Sequence, residues 1–332
     1  MHPVLQGMIT VVLGVGICIG YFYFSNQFLD KVLYPARGPN AGRNINRANM
    51  IRPWLFMGPA IFVLALYLVY PVLATLWFSL TDRDQGGAFV GLANYRQMAA
   101  EPKFLEAIRN NMLWLVVVPA MSTAFGLLAA QLTDRISWGN VAKSIIFMPM
   151  AISFVGASVI WKLIYDTRPA GADQIGVLNA IWTALGGAPQ TWLTIEPWNN
   201  FLLMVVLIWI QTGFAMVILS AALRGIPEET VEAAIVDGAN PFQIFFKIKV
   251  PQIMPTIVVV WTTITLVVLK VFDIVLAMTN GQWGTQVLAN YMYDRMFRAF
   301  DWGVGSASAI VIMLLVTPIL VWNVRNARRE MR

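Results

Sequence analysis

Polar side chains that could contact a solute lie within long apolar stretches of this chain. Lys270 and Asp273 are three residues apart in one stretch, and Gln211 lies near Trp209 in another. Ionisable groups in such surroundings are expensive to keep and usually functional. Amide, ammonium and carboxylate groups hydrogen-bond hydroxyl groups, and an indole ring can pack on a flat solute face. We predict that Gln211, Trp209, Lys270 and Asp273 line a path for a polar solute.

Each of these residues also has a structural interpretation. Lys270 and Asp273 would share a helix face at a spacing of three and could form an ion pair inside a bundle. Gln211, followed by Thr212 and Gly213, would interrupt its span and could instead join helices. Lys162 and Asp166 fit an interfacial pair. Most tryptophans fall near the ends of the apolar stretches, and only a buried one such as Trp209 or Trp261 could stack on a solute ring.

The chain lacks the residues for most enzyme chemistry. It has one histidine, His2, and one cysteine, Cys18, in 332 residues. These exclude a histidine metal cluster, a Ser/His/Asp set and a disulfide framework. No Gly-x-x-x-x-Gly-Lys-Ser/Thr motif is present, so the chain lacks the usual loop that binds ATP phosphates. We expect no catalytic site, metal or cofactor on this chain.

A charged insert, Glu232 to Pro251, lies between two apolar stretches. Pro227 and the acidic residues after it suit the start of a helix, and Gly238 suits the position just after its end. Asn240 followed by Pro241 predicts the start of a second short helix, closed by Pro251 and Pro255. The small side chains of Ala233 and Ala234 would allow close approach of a partner. The alternative is a solvated hairpin with no special role.

Composition places these elements in a membrane. The chain is 58% hydrophobic and 12% charged, with a mean hydropathy of +0.66. Soluble domains carry about 25% charged residues. Spanning a bilayer takes ~20 apolar residues in a helix, against ~10 in a barrel strand. We predict an all-α integral membrane protein with seven spans, at 4–24, 54–80, 107–132, 141–165, 200–223, 253–279 and 303–324.

The basic residues predict the topology. Lys31, Arg37, Arg43, Arg47 and Arg52 follow the first span, which lacks the basic start and the cleavage site of a signal peptide. Placing 25–53, 133–143, 224–252 and the C-terminal tail in the cytoplasm puts 14 of 23 basic residues there and 7 in the outer loops. We predict that the N-terminus lies outside and the insert and C-terminus lie in the cytoplasm.

The spacing of the insert resembles a known family pattern. Glu232-Ala233-Ala234, then Gly238, then Ile248-Lys249-Val250-Pro251 is similar to the EAA loop of ABC importer permeases, with Val250 in place of the usual Leu. The resemblance implies that this loop, at 225–252, forms a coupling helix seated on an ATP-binding subunit. It assigns Glu232, Ala233, Ala234, Asp237, Gly238, Ile248 and Pro251 to that contact.

Other segments resemble the larger permease subunit of maltose- and α-glucoside-type carbohydrate importers. They are Arg109–Met112, Phe147–Ser153, Asn179–Leu193, Phe272–Ile274 and Thr279–Gly281, although Gln282-Trp283 replaces the family's Gly-Gly-Pro. The resemblance implies a six-helix core at 53–332 and an N-terminal addition at 1–52.

The implied function is sugar import across the bacterial inner membrane. The implied partners are a second permease, two ATP-binding subunits carrying ATP and Mg, an extracytoplasmic binding protein, the sugar and membrane lipid, without nucleic acid. The binding protein would dock on loops 81–106, 166–199 and 280–302. Two alternatives remain: an amino-acid or peptide ABC importer permease, and a secondary transporter, whose inverted repeat is not detected.

Overall fold

The computed structural model describes residues 3–82, 86–134 and 136–330. It is 78% helical, and in the described part the strands form one antiparallel pair, β1 (Thr81–Asp82) with β2 (Ala88–Phe89). The predicted all-α class is confirmed. The chain divides into two compact units, Met1–Ala74 and Thr75–Arg332.

The first unit contains two long helices, α1 (Pro3–Phe28) and α2 (Ala41–Leu64), each followed by a π-helical turn at Leu29–Leu33 and Ala65–Val69. Phe22 stacks on Phe56 with ring centroids 5.2 Å apart, and Arg52 pairs with Asp30 at 2.6 Å. The expected linker at 25–53 is therefore largely helical. Its basic second half is the first part of α2, which continues through Pro53 and Pro59 to Leu64.

Helix α3 (Tyr70–Ser79) contains the boundary between the units, and the second unit holds the remaining helices. They are α4 (Ala93–Ala100), α5 (Pro102–Thr133), α6 (Gly139–Phe147), α7 (Phe154–Ile164), α8 (Val177–Ala184), α9 (Trp198–Arg224), α10 (Glu228–Val236), α11 (Pro241–Gln243), α12 (Val250–Gln252), α13 (Met254–Val268), α14 (Asp273–Met278), α15 (Leu288–Tyr293) and α16 (Trp302–Glu330). Short 3₁₀ turns lie at Met148–Ala151 and Trp192–Thr194, and π-helical turns at Ile244–Lys249 and Asp294–Arg298.

Among the described residues, five helices are long and apolar enough to cross a membrane, and the total is seven if each of two bent helix pairs counts as one span. One pair joins Gly139–Ala151 to Phe154–Ile164 at 105°, and the other joins Pro241–Gln252 to Met254–Val268 at 71°. The predicted span at 141–165 is thus broken at Ile152 and Ser153. The predicted span at 253–279 is also not one helix, because the backbone leaves the helix between α13 and α14.

Close contact between α5 and α9 forms the core of the second unit. A Cβ at Gly126 would lie 2.4 Å from the Cβ of Ala215, so only glycine permits this approach. Gly213 does the same for α6, since a Cβ there would lie 2.6 Å from the Ile146 carbonyl oxygen. Fully buried Trp114 and Leu207 complete the packing. Helix α9 is continuous, so the expected interruption at 211–213 is wrong: Gly213 serves packing between helices.

Helix α5 also separates two ends of the second unit. Its 32 residues extend for about 48 Å at ~1.5 Å per residue. Its C-terminal end lies beside the insert, here defined as residues 228–252. Its N-terminal end lies beside the loop between α14 and α15. We call these ends the insert face and the distal face.

Candidate coupling surface and solute cavity

The first helix of the insert, α10, begins where the sequence predicts. Pro227 is its N-cap residue, and Glu228 and Glu229 occupy the first turn. Carboxylates there interact favourably with the positive end of the helix dipole. The helix ends in a Schellman motif: the Ala239 N–H donates to the Ala234 carbonyl and the Gly238 N–H to that of Ile235, both at 3.0 Å. Gly238 has a φ of 79°, as this motif requires.

The second helix of the insert begins with a capping box. The Asn240 side chain accepts from the Gln243 N–H, and the Gln243 side chain accepts from the Asn240 N–H, both at 2.9 Å. This helix, expected to be closed by Pro251 and Pro255 before the next span, passes through Pro251 and ends at Gln252, and the chain bends at Ile253 between the two prolines. The π-helical turn at 244–249 widens the backbone ahead of the proline, and the helix continues to Gln252.

The exposed side of the insert is unusually apolar for a solvated segment. Val236 is 87% exposed and Phe242 is 75% exposed, and Ile235 and Phe246 are also exposed. Exposed apolar patches on otherwise polar segments are typical of protein docking sites. We name Ile235, Val236, Phe242 and Phe246 the insert patch.

The predicted coupling residues divide into two groups. Glu232, Ala233, Asp237, Gly238 and Pro251 are exposed, whereas Ile248 is half-buried. Ala234 is only 8% exposed, so its expected role in close approach to a partner is wrong. Its small side chain instead lets α10 pack against the turn at 244–249. Glu232 borders a cavity of about 430 Å³ together with Asp134 and Arg224.

A second cavity, of about 400 Å³, lies where the two interrupted spans meet α9. Its polar lining comes from Ser153, Gln211 and Asp273, and apolar Met150, Ile152, Phe154, Val155 and Ile210 complete it. Ser153 lies at the break before α7, where its hydroxyl accepts from the Gly156 N–H at 3.1 Å. The structure thus brings together two of the four predicted path residues and adds a third polar group.

Gln211 is the most informative residue of this cavity. It is only 6% exposed, and within the described residues its amide makes no hydrogen bond. Although most of the residue is buried, its amide atoms are not sealed from the cavity, so they can hydrogen-bond a molecule held there. Asp273, half-buried on the same cavity, likewise has no ion pair or hydrogen bond among the described residues. Both groups are available to a polar solute.

The expected Lys270–Asp273 helix face is wrong. Residues 269–272 are not helical, and the two side chains form no ion pair in the part of the chain described here. Lys270 is exposed and borders, with Asp273, a small void of about 20 Å³. The expected Lys162–Asp166 pair is also not formed: Lys162 Nζ donates to the Ala277 carbonyl at 3.2 Å, tying α7 to α14.

The predicted tryptophans lie away from this cavity. Trp209 packs edge-on against Trp161, with ring centroids 5.8 Å apart. Trp261 is 38% exposed rather than buried, and borders an apolar groove of about 680 Å³ with Trp322. The Thr212 hydroxyl donates back to the Ile208 carbonyl at 2.7 Å, so it serves its own helix.

Comparison with known proteins identifies the family. Residues 122–332 match the family model described as binding-protein-dependent transport system inner membrane component. The chain belongs to this family. This permease is 64% identical over 334 residues, 99% of each chain, to the alpha-glucoside transport system permease protein AglF of Rhizobium meliloti. It is 49% identical to the osmoprotective compounds uptake permease protein GgtC of Synechocystis, covering 83% of this permease and 99% of that protein.

A solved structure supports the fold of the permease. A bacterial ABC transporter involved in the import of the acidic polysaccharide alginate matches with a TM-score of 0.73 at 20% identity, covering 87% of this chain and 99% of that chain. The same transporter has been solved with an alginate pentasaccharide-bound periplasmic protein, and matches with a TM-score of 0.72.

Sequence reasoning missed Ser153 as a lining residue of the permease cavity. The apolar run around it reads as one span, so a polar side chain near its middle was not singled out. Pro149 and Ser153 together carried the available signal, because proline followed by a residue that favours N-caps indicates a helix restart.

Proposed function

We propose that this permease moves an α-glucoside across the bacterial inner membrane, driven by ATP hydrolysis on separate subunits. One observation carries the proposal: the amide of Gln211, which has no hydrogen-bond partner among the described residues, shares a cavity with Asp273 where two spans are interrupted. Interrupted helices near the middle of a membrane are a common way of building solute sites. Sugar hydroxyls both donate and accept hydrogen bonds, so they would satisfy an amide and a carboxylate together.

Support for the sugar class comes from the relatives. At 64% identity over nearly the whole chain, AglF is named for alpha-glucoside transport. An amino-acid cargo would bring an ammonium and a carboxylate into the cavity. Within the described lining only Asp273 is charged, so a zwitterion would leave its carboxylate unpaired. A glucoside brings no second carboxylate, and its hydroxyl groups could donate to the carboxylate of Asp273.

Each of the two faces has its own proposed partner. The insert patch, with Glu232 and Asp237, would dock an ATP-binding subunit, and a second permease would bring a second such subunit, each carrying ATP and Mg. The distal loops 81–106, 166–199 and 280–302 would receive a sugar-loaded binding protein. The N-terminus would lie outside and the C-terminus in the cytoplasm, with residues 53–332 as the permease core and 1–52 as an addition.

Movement would pass from the insert to the cavity through rigid contacts. The insert continues through one bend at Ile253 into α13, and α13 packs against both α5 and α9. A displacement of the insert by the ATP-binding subunits would therefore shift α13 against α9, which carries Gln211. The end of α13 leads to Asp273, so the two polar groups of the cavity would change their separation.

The test is uptake by the assembled complex in proteoliposomes containing ATP. A panel of binding proteins, each loaded with maltose, trehalose or glutamine, would be added outside, and ATP-dependent accumulation of the labelled ligand measured. We expect accumulation of an α-glucoside. Glu232→Gln is expected to lower uptake and stimulated ATP hydrolysis by about tenfold, because the variant loses one charged hydrogen bond across the proposed subunit contact.

Glu229→Gln is the matched control, because Glu229 lies in the first turn of the same helix and outside the residues bordering the 430 Å³ cavity. ATP-dependent accumulation of glutamine in place of a glucoside would refute the cargo. Wild-type uptake by Glu232→Gln would refute the role of that residue in coupling.

A further inference from the structure

A concavity of about 800 Å³ opens on the distal face, away from the Gln211 cavity. Arg109, Glu196, Asn200, Trp283 and Gly284 are among its lining residues. Its volume is within the ~300–1,000 Å³ typical of small-ligand sites. Most of its lining residues belong to the distal loops proposed above to receive the binding protein. Neither the coupling role of the insert nor the solute path accounts for a concavity there.

Buried asparagines hold one wall of this concavity in place. Asn200 and Asn110 each donate to the Gly284 carbonyl, at 2.9 and 2.8 Å. Asn199 donates to the Trp283 carbonyl at 2.6 Å. All three asparagines are at most 3% exposed. The loop that carries Trp283 is therefore fixed by its backbone to α5 and α9, and its position does not depend on the indole ring.

Trp283 adopts a backbone conformation that is costly for its residue type. Its φ is 52°, in the left-handed region that bulky residues rarely occupy. The indole obtains little packing in return, because Trp283 is 46% exposed. Strain of this kind persists where the surrounding structure imposes it, and it is concentrated at functional sites. This backbone conformation places the indole of Trp283 in the lining of the concavity.

The charged groups around the ring are balanced and partly free. Lys103 pairs with Glu106 at 2.9 Å. Arg109 and Glu196, both exposed, form no ion pair or hydrogen bond within the described residues. The lining therefore carries two positive and two negative side chains. A ligand that binds the Arg109 guanidinium and the Glu196 carboxylate gains hydrogen bonds. Because the lining has no net charge, it does not favour an ionic ligand.

We propose that this concavity is a second sugar site, which holds one uncharged glucosyl unit against Trp283 at the distal face. The apolar side of the sugar ring would lie on the indole, while Arg109 would donate to hydroxyl oxygens and Glu196 would accept from hydroxyl groups. The inference rests on the proposed sugar cargo. It adds a position at which the sugar is held outside the 400 Å³ cavity.

The chemistry of the lining favours a sugar over a docked protein. The centres of protein interfaces are depleted in charged residues and rich in apolar area. Here the exposed indole is surrounded by Lys103, Glu106, Arg109 and Glu196. Such a polar lining with a single aromatic platform suits a hydroxylated ring, whose many donors and acceptors face outward from a small apolar patch.

The site is tested by ¹⁹F NMR on the assembled transporter in nanodiscs, labelled with 5-fluorotryptophan and free of binding protein and ATP. Trp283→Phe and Trp198→Phe assign the two resonances by their disappearance. Trp198 is the matched control because it is 64% exposed and starts α9, yet does not border the concavity. Maltose is the probe. We expect a saturable shift of the Trp283 resonance and none of Trp198.

The Glu196→Ala variant is expected to raise the maltose concentration at half-saturation roughly tenfold, because it loses one charged hydrogen bond. An unchanged Trp283 resonance under maltose would overturn the inference. If that resonance responds only when unloaded binding protein is added, the concavity is a protein docking surface and the sugar site is refuted. Equal shifts of both resonances would refute it as well. Glucoside uptake by the same purified transporter, reconstituted in proteoliposomes with binding protein and ATP, shows independently whether the proposed function holds.

Discussion

At the scale of single residues, the account rests on Gln211 and its missing partner. Gln211 lines, with Asp273 and Ser153, a cavity of about 400 Å³. Its amide has no hydrogen-bond partner among the described residues and is open to the cavity, so a sugar hydroxyl could bond it. We therefore expect Gln211→Ala to raise the KM for glucoside uptake about fivefold, the loss of one hydrogen bond of ~1 kcal/mol.

Thr212→Val is the control for this change. Thr212 is the neighbouring polar residue on the same helix, but its hydroxyl bonds the Ile208 carbonyl and lies outside the cavity lining. The KM for uptake should stay within twofold of wild type. Equal effects of the two variants would mean that Gln211 matters for helix packing and not for the solute.

Gly238 carries a second prediction at this scale. Its φ of 79° is required by the Schellman motif, and a Cβ there would meet no atom within 4 Å. Gly238→Ala therefore adds backbone strain of about 1 kcal/mol without a clash. We expect the end of α10 to shift and sugar-stimulated ATP hydrolysis to fall severalfold.

Gly171→Ala provides a matched control for Gly238→Ala. Gly171 has a φ of 90° and also no atom within 4 Å of a built Cβ, but it lies in the loop between α7 and α8. The backbone penalty is the same, but Gly171 lies outside the insert, so stimulated ATP hydrolysis should be retained. A similar loss in both variants would show general destabilisation, measured as a common drop in thermal midpoint.

At the scale of elements, the sequence predicts the insert better than the cavity. Pro227, Gly238 and Asn240 are local signals, and each ends or begins a helix where expected. The break at 269–272 has no such signal, because Leu269-Lys270-Val271-Phe272 contains neither glycine nor proline. Packing of α14 against α7 accompanies that break, and long-range contacts cannot be read from local pattern.

Helix contact gives the prediction at this scale. A Cβ at Gly213 would lie 2.6 Å from the Ile146 carbonyl oxygen and 2.9 Å from the Phe147 Cα, both backbone atoms. Gly213→Ala should therefore push α9 from α6 and cost about 1–3 kcal/mol, as overpacking does. The measurement is the thermal midpoint of the purified complex in detergent.

Gly225→Ala tests whether the effect at Gly213 is specific to the helix contact. Gly225 ends the same helix, and a Cβ there would be 3.4 Å from its nearest neighbour, an ordinary contact. The thermal midpoint of that variant should match wild type. No difference between the two variants would contradict close packing of α9 on α6.

At the scale of the whole molecule, the insert face and the distal face lie at opposite ends of α5. The insert face carries an apolar patch with capped helices, and the distal face carries a polar concavity with a fixed tryptophan. Between them lies the Gln211 cavity, bordered by both interrupted spans. In the proposed function, this arrangement would link a partner contact at the insert face to a change of solute access at the Gln211 cavity.

The most direct test of the central claim is retention of the ATP-binding subunit by the insert patch. Val236→Asp places a charge at the most exposed large apolar residue of the patch, and Leu185→Asp does the same in the loop after α8, at 87% and 78% exposure. Co-purification after size exclusion should fall at least about tenfold for Val236→Asp and remain at wild type for Leu185→Asp. Full retention by Val236→Asp would contradict the assignment of the insert as the coupling surface.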